Sequence, residues 1–522
     1  MAGSFLAYHE PGIVQILIII SFFFFLSLAE WFSAKIIRAG IIGQIAVGII
    51  YGKPLADILE GPWQQTFLAI GYVGLILIIF EGGLQIRLDL LKQNFLSSVL
   101  GAATGVTIPI AFSYLLLYLG YGYSAVETFI IGAALSATSL GTTFSVISSA
   151  AKEVDLSQTR VGSILVSAAV IDDVVGLVLA SVIHDLGELS GPDSGHTSLG
   201  WIIGRPIVAS VAMAILTPIL TKWVFAPIFR RWIEHAFAKY DHVSNIILMV
   251  LVLSAFISIA AYAGTSVLFG AFLAGAFLTY LPSKHPDGPF VVMSREEGEQ
   301  DPNRSPTFMH TFELYLLDTQ KYLMEPLFFA SIGFAIPFVG LWTGKRIWRG
   351  ILFSLLMAIA KLINLIVYCW SMDSHLRVYR LPKIIEASQL SHNPTPSESS
   401  HETHEKRNSS EATRDTPVAV DQKGDYGSAS LAGLLLGSAM VARGEIGLLI
   451  VEIGYNETNY VSTEGFITAV WAILLNTIVG PVTVGYLVKF YGKKIGKSAW
   501  GLQEAGMSGR QETVGIVDNH HV

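Results

Sequence analysis

The sequence predicts an all-α, polytopic membrane protein, and three observations predict it. Of 522 residues, 52% are hydrophobic and only 14% charged, whereas an ordinary soluble protein carries about 25% charged residues. The apolar residues fall in runs long enough to cross a bilayer, which takes roughly 20 residues per helix. Strongly polar composition is confined to a few stretches. This balance excludes a water-soluble enzyme. Thirty-three Lys and Arg against 40 Asp and Glu give net charge -7, which is no basis for binding nucleic acid, whose phosphates demand clustered positive charge. A single cysteine, Cys369, excludes an internal disulfide and a cysteine-based metal cluster.

Apolar runs bounded by charge, Gly or Pro place thirteen spans. The first seven lie near 13–30, 36–56, 64–85, 95–119, 126–148, 161–184 and 201–226. The remaining six lie near 243–263, 265–281, 321–340, 347–370, 428–453 and 463–488. The first ends at Glu30-Trp31 without a small-residue cleavage pattern, so it reads as retained rather than as a signal peptide. Its run Phe22 to Phe25 is expected to face lipid or a partner subunit.

Two stretches, 282–320 and 371–427, are rich in Ser, Glu and His. They bury too little apolar area to offset their ordering entropy, so both read as mobile loops, as does the tail 498–522. Basic residues set the orientation, because cytoplasmic connections carry the excess of Lys and Arg. One set of alternate loops holds Lys35, Arg38, Arg87, Lys92, Lys152, Arg160, Arg230, Arg231 and Lys239; the opposite set holds Lys53, Arg205, Lys345, Arg346 and Arg349. The first set is therefore cytoplasmic, with the amino terminus outside or lumenal and the carboxyl terminus in the cytoplasm.

Polar residues at membrane depth need a reason, since a central Asp, Lys or Arg costs roughly 2.5–3.5 kcal/mol even on mild scales. In the sixth span Asp172 and Asp173 lie mid-helix. Adjacent helical residues point about 100° apart, so the two carboxylates can serve different partners. Lys361 in the eleventh span is one basic partner, too deep to reach water by extending its side chain. In the fifth span the run Ser136-Ala137-Thr138-Ser139-Leu140-Gly141-Thr142-Thr143 reads either as close small-residue packing or as a broken helix that turns hydroxyls and freed carbonyls toward a cation. The twelfth span has a comparable interruption around Gly437 to Glu445, where Arg443 could neutralise helix ends or pair with an acid. Glu81, ending the third span, reads equally as solvated. His401-Glu402-Thr403-His404 lacks the i, i+4 spacing of a helical zinc site, so no resident metal and no cofactor is expected.

Seven motifs occur in order between about residues 36 and 490: Phe80-Glu-Gly-Gly-Leu84, Ser136-Ala-Thr-Ser139, Ile171-Asp-Asp-Val174, Gly270-Ala-Phe-Leu-Ala-Gly275, Pro326-Leu-Phe-Phe329 with Gly333, Lys361, and Arg443-Gly-Glu445. In them the chain resembles the monovalent cation:proton antiporter superfamily, in the branch of NapA-type sodium/proton and Kef-type potassium/proton antiporters. The resemblance implies a homodimer with a dimerisation domain and a core transport domain, built from two inverted six-helix repeats whose discontinuous helices cross. An extra helix at 1–35 would precede repeat one at 36–226 and repeat two at 243–490. The resemblance further implies Asp173 as the main ion and proton carboxylate, Asp172 as the partner of Lys361, and Thr138 and Ser139 as contacts in the unwound loop. Arg443, Glu445 and Glu81 are supporting. The Asp-Asp form resembles the electrogenic members. The chain departs from many Kef-type members in lacking a nucleotide-binding domain and in its two long loops.

The expected activity is exchange of a monovalent cation, sodium before potassium, for protons at one carboxylate site open alternately to each side. A passive channel or a sensor of the same fold would not need the titratable Asp-Asp and Lys set. An intramembrane aspartyl protease would need Tyr-Asp and Gly-x-Gly-Asp on successive helices, and the acids here are adjacent instead.

Overall fold

The computed structural model describes residues 10–37, 39–86, 95–138, 160–188, 199–233, 241–282, 307–363 and 426–496. Every regular element among them is helical. The order is α1 (Ile13–Ile37), α2 (Gly40–Tyr51), α3 (Gly61–Leu84), α4 (Phe95–Ser113, continued by a π-helical stretch Tyr114–Gly120), α5 (Ala125–Ser136), α6 (Arg160–Glu188) and α7, which runs from Leu199–Leu220 through π-helical turns to Ile233. Then come α8 (Asp241–Ala263), α9 (Val267–Tyr280), α10 (from Phe308–Tyr315 through to Glu325–Ala335), α11 (344–363), α12 (Tyr426–Val441), α13 (Glu445–Asn456) and α14 (Thr463–Gly496). Seven helical stretches among the described residues are long and apolar enough to cross a bilayer, and α2, α5 and α9 are shorter apolar helices.

The helices sort by contact into two groups. In the first, α3 packs on α9 and α10, α2 on α1 and α10, and α8 on α9. In the second, α5 packs on α4 and α13, α6 on α4 and α13, and α14 on α12 and α13. α7 lies between, against α6 on one side and α9 on the other.

Glycine knits each group internally. An added Cβ at Gly48 would stand 2.1 Å from the Ala330 carbonyl oxygen, at Gly83 2.2 Å from that of Phe272, and at Gly333 2.4 Å from that of Ile45. In the second group the same holds at Gly350 against Trp471 (2.3 Å) and Gly447 against Ala134 (2.7 Å). Small residues let backbones touch where lipid supplies no hydrophobic drive to associate. Between the groups α10 meets α13 and α9 meets α6, and one cluster of larger apolar side chains, among them Phe272, Phe329, Leu177, Ile446 and Ile450, spans both.

α7 shows how local geometry follows burial. Its buried residues beyond Leu220 are Thr221, Ala226 and Phe229, the first two five residues apart and so wider than one α-turn. The π-helical turn at Thr221–Phe225 adds the residue needed to keep that stripe on one side. Trp223 and Trp232 are left 73% and 78% exposed.

Two expectations are corrected. Phe22, expected with Phe23 to Phe25 to face lipid or a partner, is fully buried against Tyr51 and Phe67, because it shares with Leu26 the face of α1 that packs on the bundle. Residues 308–320, assigned to a mobile loop on composition, are helical and form the start of α10. Their polar groups find tertiary partners in place of water. Thr311, fully buried, accepts a hydrogen bond from Asn245 Nδ2 at 3.0 Å and pairs with His242 Nδ1 at 3.0 Å. Thr307 caps the helix by accepting from the His310 N–H. The expected loop at 371–427 and the tail lie almost wholly outside the described residues.

Candidate functional site

The site forms where two helices stop. α5 ends at Ser136, and Ala137 is already extended, with ψ 139. α12 ends at Val441, and the chain crosses 442–444 without helical structure before α13 begins. Hydroxyl-rich and glycine-containing sequence permits such breaks, because Ser and Thr side chains compete for the backbone's hydrogen bonds. Each break leaves carbonyls without intrahelical donors. Arg443, fully buried, answers both: its Nη1 donates to the carbonyls of Ala137 at 2.8 Å, Ser136 at 3.4 Å and Met440 at 3.3 Å. A guanidinium at two helix C-termini also balances their partial negative charge. The break is held from α14, where Thr477 donates to the Arg443 carbonyl at 2.7 Å and Gly480 lets Ala442 approach.

α6 brings Asp172 and Asp173 to this place, 0% and 2% exposed. Lys361, 0% exposed, comes from α11 and donates to Asp172 Oδ2 at 2.9 Å. Thr138, the second residue past the end of α5, donates to the same oxygen at 2.5 Å and stands 3.5 Å from Lys361 Nζ. Gly105 of α4 closes the group: its added Cβ would lie 3.4 Å from Lys361 Nζ and 3.8 Å from Asp172 Oδ1. Two acids and two bases thus share one dry volume, with formal charges that cancel. Removing one partner of a buried pair costs about 3–5 kcal/mol.

The residues singled out from sequence divide accordingly. Asp172, Asp173, Lys361, Thr138 and Arg443 are brought together. Ser139 lies outside the described residues; Glu445 opens α13, and its side chain also lies outside them. Glu81 stands apart, its carboxylate accepting from Gln320 Nε2 at 2.7 Å and Gln85 Nε2 at 2.9 Å, which ties α3 to α10. Sequence reading missed Gly105, because a helical glycine carries no sign of what packs over it. It also missed Glu127, 5% exposed, whose carboxylate accepts from the Ser462 N–H at 3.0 Å and from its hydroxyl, fastening the start of α14 to α5. The capping-box spacing Ser124-x-x-Glu127 was the available signal.

A family model described as sodium/hydrogen exchanger, transmembrane, matches residues 18–490. The Na(+)/H(+) antiporter of Enterococcus hirae is 23% identical over 457 residues, spanning 86% of this chain and 91% of its own. The Na(+)/H(+)-K(+) antiporter GerN of Bacillus cereus is 25% identical over 338 residues, 65% of this chain and 75% of its own. Among solved structures, that of the sodium proton antiporter MjNhaP1 from Methanocaldococcus jannaschii at pH 8 matches with TM-score 0.52 over 92% of this chain and 99% of its own. At 17% identity, that likeness speaks for the fold alone.

Proposed function

Because the chain belongs to the sodium/hydrogen exchanger family, we propose that it exchanges a monovalent cation, sodium first, for protons, with the Asp172–Asp173 pair as the exchange site. Membership makes it a transporter rather than an enzyme, which removes the intramembrane protease reading. The observation that carries the proposal is the ion pair of Lys361 with Asp172, 2.9 Å long and without solvent exposure on either side chain, at the unwound end of α5.

Proton and cation compete there. A carboxylate withdrawn from water favours its protonated form unless a cation stands beside it. In the proton-loaded state Asp173 holds a proton and Lys361 neutralises Asp172. A sodium ion entering between the carboxylates, with Thr138 and the freed carbonyls as further oxygen ligands, takes over the neutralising role. Asp173 then loses its proton, and Lys361, left in a dry site without its anion, loses one too. Two protons leave per cation, so the cycle carries charge.

Alternating access needs one body to move against another. The glycine contacts support two such bodies: among the described residues, every glycine whose added Cβ would meet a helix of the other group at under 3.0 Å is absent, and the tight ones hold helices within a group or to α7. An interface of larger apolar side chains can slide where interlocked backbones cannot. In this reading the group of α1–α3 and α8–α10 is the dimerisation domain, and the group carrying the breaks is the transport domain. In the same reading each group takes helices from both of the inverted six-helix repeats expected from the sequence. α1 supports a homodimer or lipid-facing surface by its exposed Ile13, Phe24 and Phe32.

The test is exchange by the purified protein in proteoliposomes, scanning sodium, potassium and lithium against an imposed proton gradient. Potassium belongs in the scan because GerN is named for it. Dissipation of the gradient by sodium is the expected result; indifference to all three cations would refute the proposal.

A further inference from the structure

Lys361 is held in place by more than its own contacts. α11 and α14 form a seam whose contacts on α11 recur at one-turn spacing, at Arg346, Gly350 and Ser354. At its outer end Arg346 Nε donates to Glu464 Oε1 at 2.8 Å. One turn on, Gly350 lets the Trp471 side chain press against the α11 backbone. After another turn Ser354 Oγ donates to Asn476 Oδ1 at 2.8 Å, with the two residues 6% and 0% exposed. Lys361 follows seven residues later, about 10 Å down the same face.

Asn476 is the unexpected member. Its Nδ2 is buried without a hydrogen-bond partner among the described residues, and a buried unsatisfied donor is destabilising. Its neighbours Ala472 and Ile473 are apolar and fully buried, so an apolar pair would suit this position better for stability alone. A buried polar contact that does not serve stability serves register: it penalises any rotation or slip of one helix along the other. Immediately after it, Thr477 fixes the Arg443 carbonyl. One turn of α14 thereby references both basic groups of the site.

We propose that Asn476 and Ser354 are positioning residues for Lys361, pinning the register of α11 on α14 so that the ammonium meets Asp172. The proposal rests on the reading of Lys361 and Asp172 as part of the exchange site. The charged groups facing Lys361 are Asp172 and Asp173 from α6 and Arg443 from the break after α12; Thr138 of α5 and Gly105 of α4 add no titratable group. A shift of α11 changes the distance from Lys361 to all three, so it must appear in the pH dependence of exchange.

The experiment compares the parent, Ser354→Ala/Asn476→Leu, Ser354→Ala, Ser354→Thr and Lys361→Gln in proteoliposomes, recording sodium-driven proton release against pH together with thermal unfolding. The double variant removes both polar partners, a change that is close to neutral for stability. Its pH of half-maximal exchange is expected to move by about 1 unit, with unfolding unchanged or later, while Ser354→Thr, which keeps the hydroxyl, retains the parent profile. A double variant with the parent profile at any rate of exchange overturns the proposal. Should the double variant fail to fold, Ser354→Ala carries the same two outcomes. If Lys361→Gln itself keeps the parent profile, the reading of the site fails instead; a shifted Lys361→Gln beside an unshifted double variant overturns only the positioning role.

Discussion

A carboxylate at the centre of a membrane protein can be a structural charge or a working one, and substitution separates the two. Asp173→Asn keeps size and hydrogen-bonding capacity while removing titration. Cation-driven proton release should be lost with folding intact, as read by fluorescence of a pH dye in proteoliposomes and by size-exclusion chromatography; exchange at the parent rate would remove Asp173 from the site. Lys361→Gln asks about charge. It leaves Asp172 without its cation, so that carboxylate stays protonated through the cycle and only Asp173 exchanges a proton. Sodium uptake measured with the potential clamped at zero and then at a negative value should respond to voltage in the parent and lose that response in the variant. Equal responses would make Lys361 structural. Asp172, Asp173, Lys361 and Arg443 were legible because a charge in hydrocarbon carries a visible cost, and Thr138 because it lies in a hydroxyl-rich run. Gly105 was not legible, since its contribution is the space it leaves beside Lys361.

Among the elements, the helix contacts predict where small substitutions hurt. Gly48→Ala drives a methyl group into the Ala330 carbonyl, 2.1 Å away, and overpacking of that kind costs about 1–3 kcal/mol. Gly204→Ala in α7 meets nothing within 4 Å and removes a helix-interior glycine, worth up to about 1 kcal/mol. Thermal unfolding in detergent should therefore fall for the first and hold or rise for the second. The start of α10 shows the limit of composition. Residues 308–320 look like loop because His310, Glu313, Asp318 and Gln320 are polar, yet α8 supplies partners to His310 and Thr311 and α3 supplies one to Gln320. Deletion of about residues 385–420, outside the described residues, should leave exchange largely intact, because long loops tolerate changes of length; a folded but inactive deletion would assign that segment to the site.

For the whole molecule the open quantity is its orientation, and three sequons report on it, since glycan is added only on the lumenal or extracellular side. Asn303 and Asn408 fall in stretches expected to be cytoplasmic and should stay bare. Asn456 is exposed at the end of α13, one short connection from α14, on the side expected to be outside. Mass shifts on glycosidase treatment of the full chain and of single Asn→Gln variants decide the matter: glycan at Asn303 or Asn408 reverses the topology.

The sequence by itself determined that this is a helical membrane protein, roughly where its apolar helices lie, where hydroxyls and glycine make a helix break possible, and which charges are too costly to be incidental. Each of these follows from the expense of polar groups in hydrocarbon, a property of single residues and short windows. Only the tertiary structure decided that Thr138 and Lys361 meet the same oxygen of Asp172, that Arg443 serves two helix ends at once, and that Glu81 belongs to the contact of α3 with α10. Those outcomes depend on which residues, hundreds of positions apart in the chain, arrive at the same turn of neighbouring helices, and no local window carries that information.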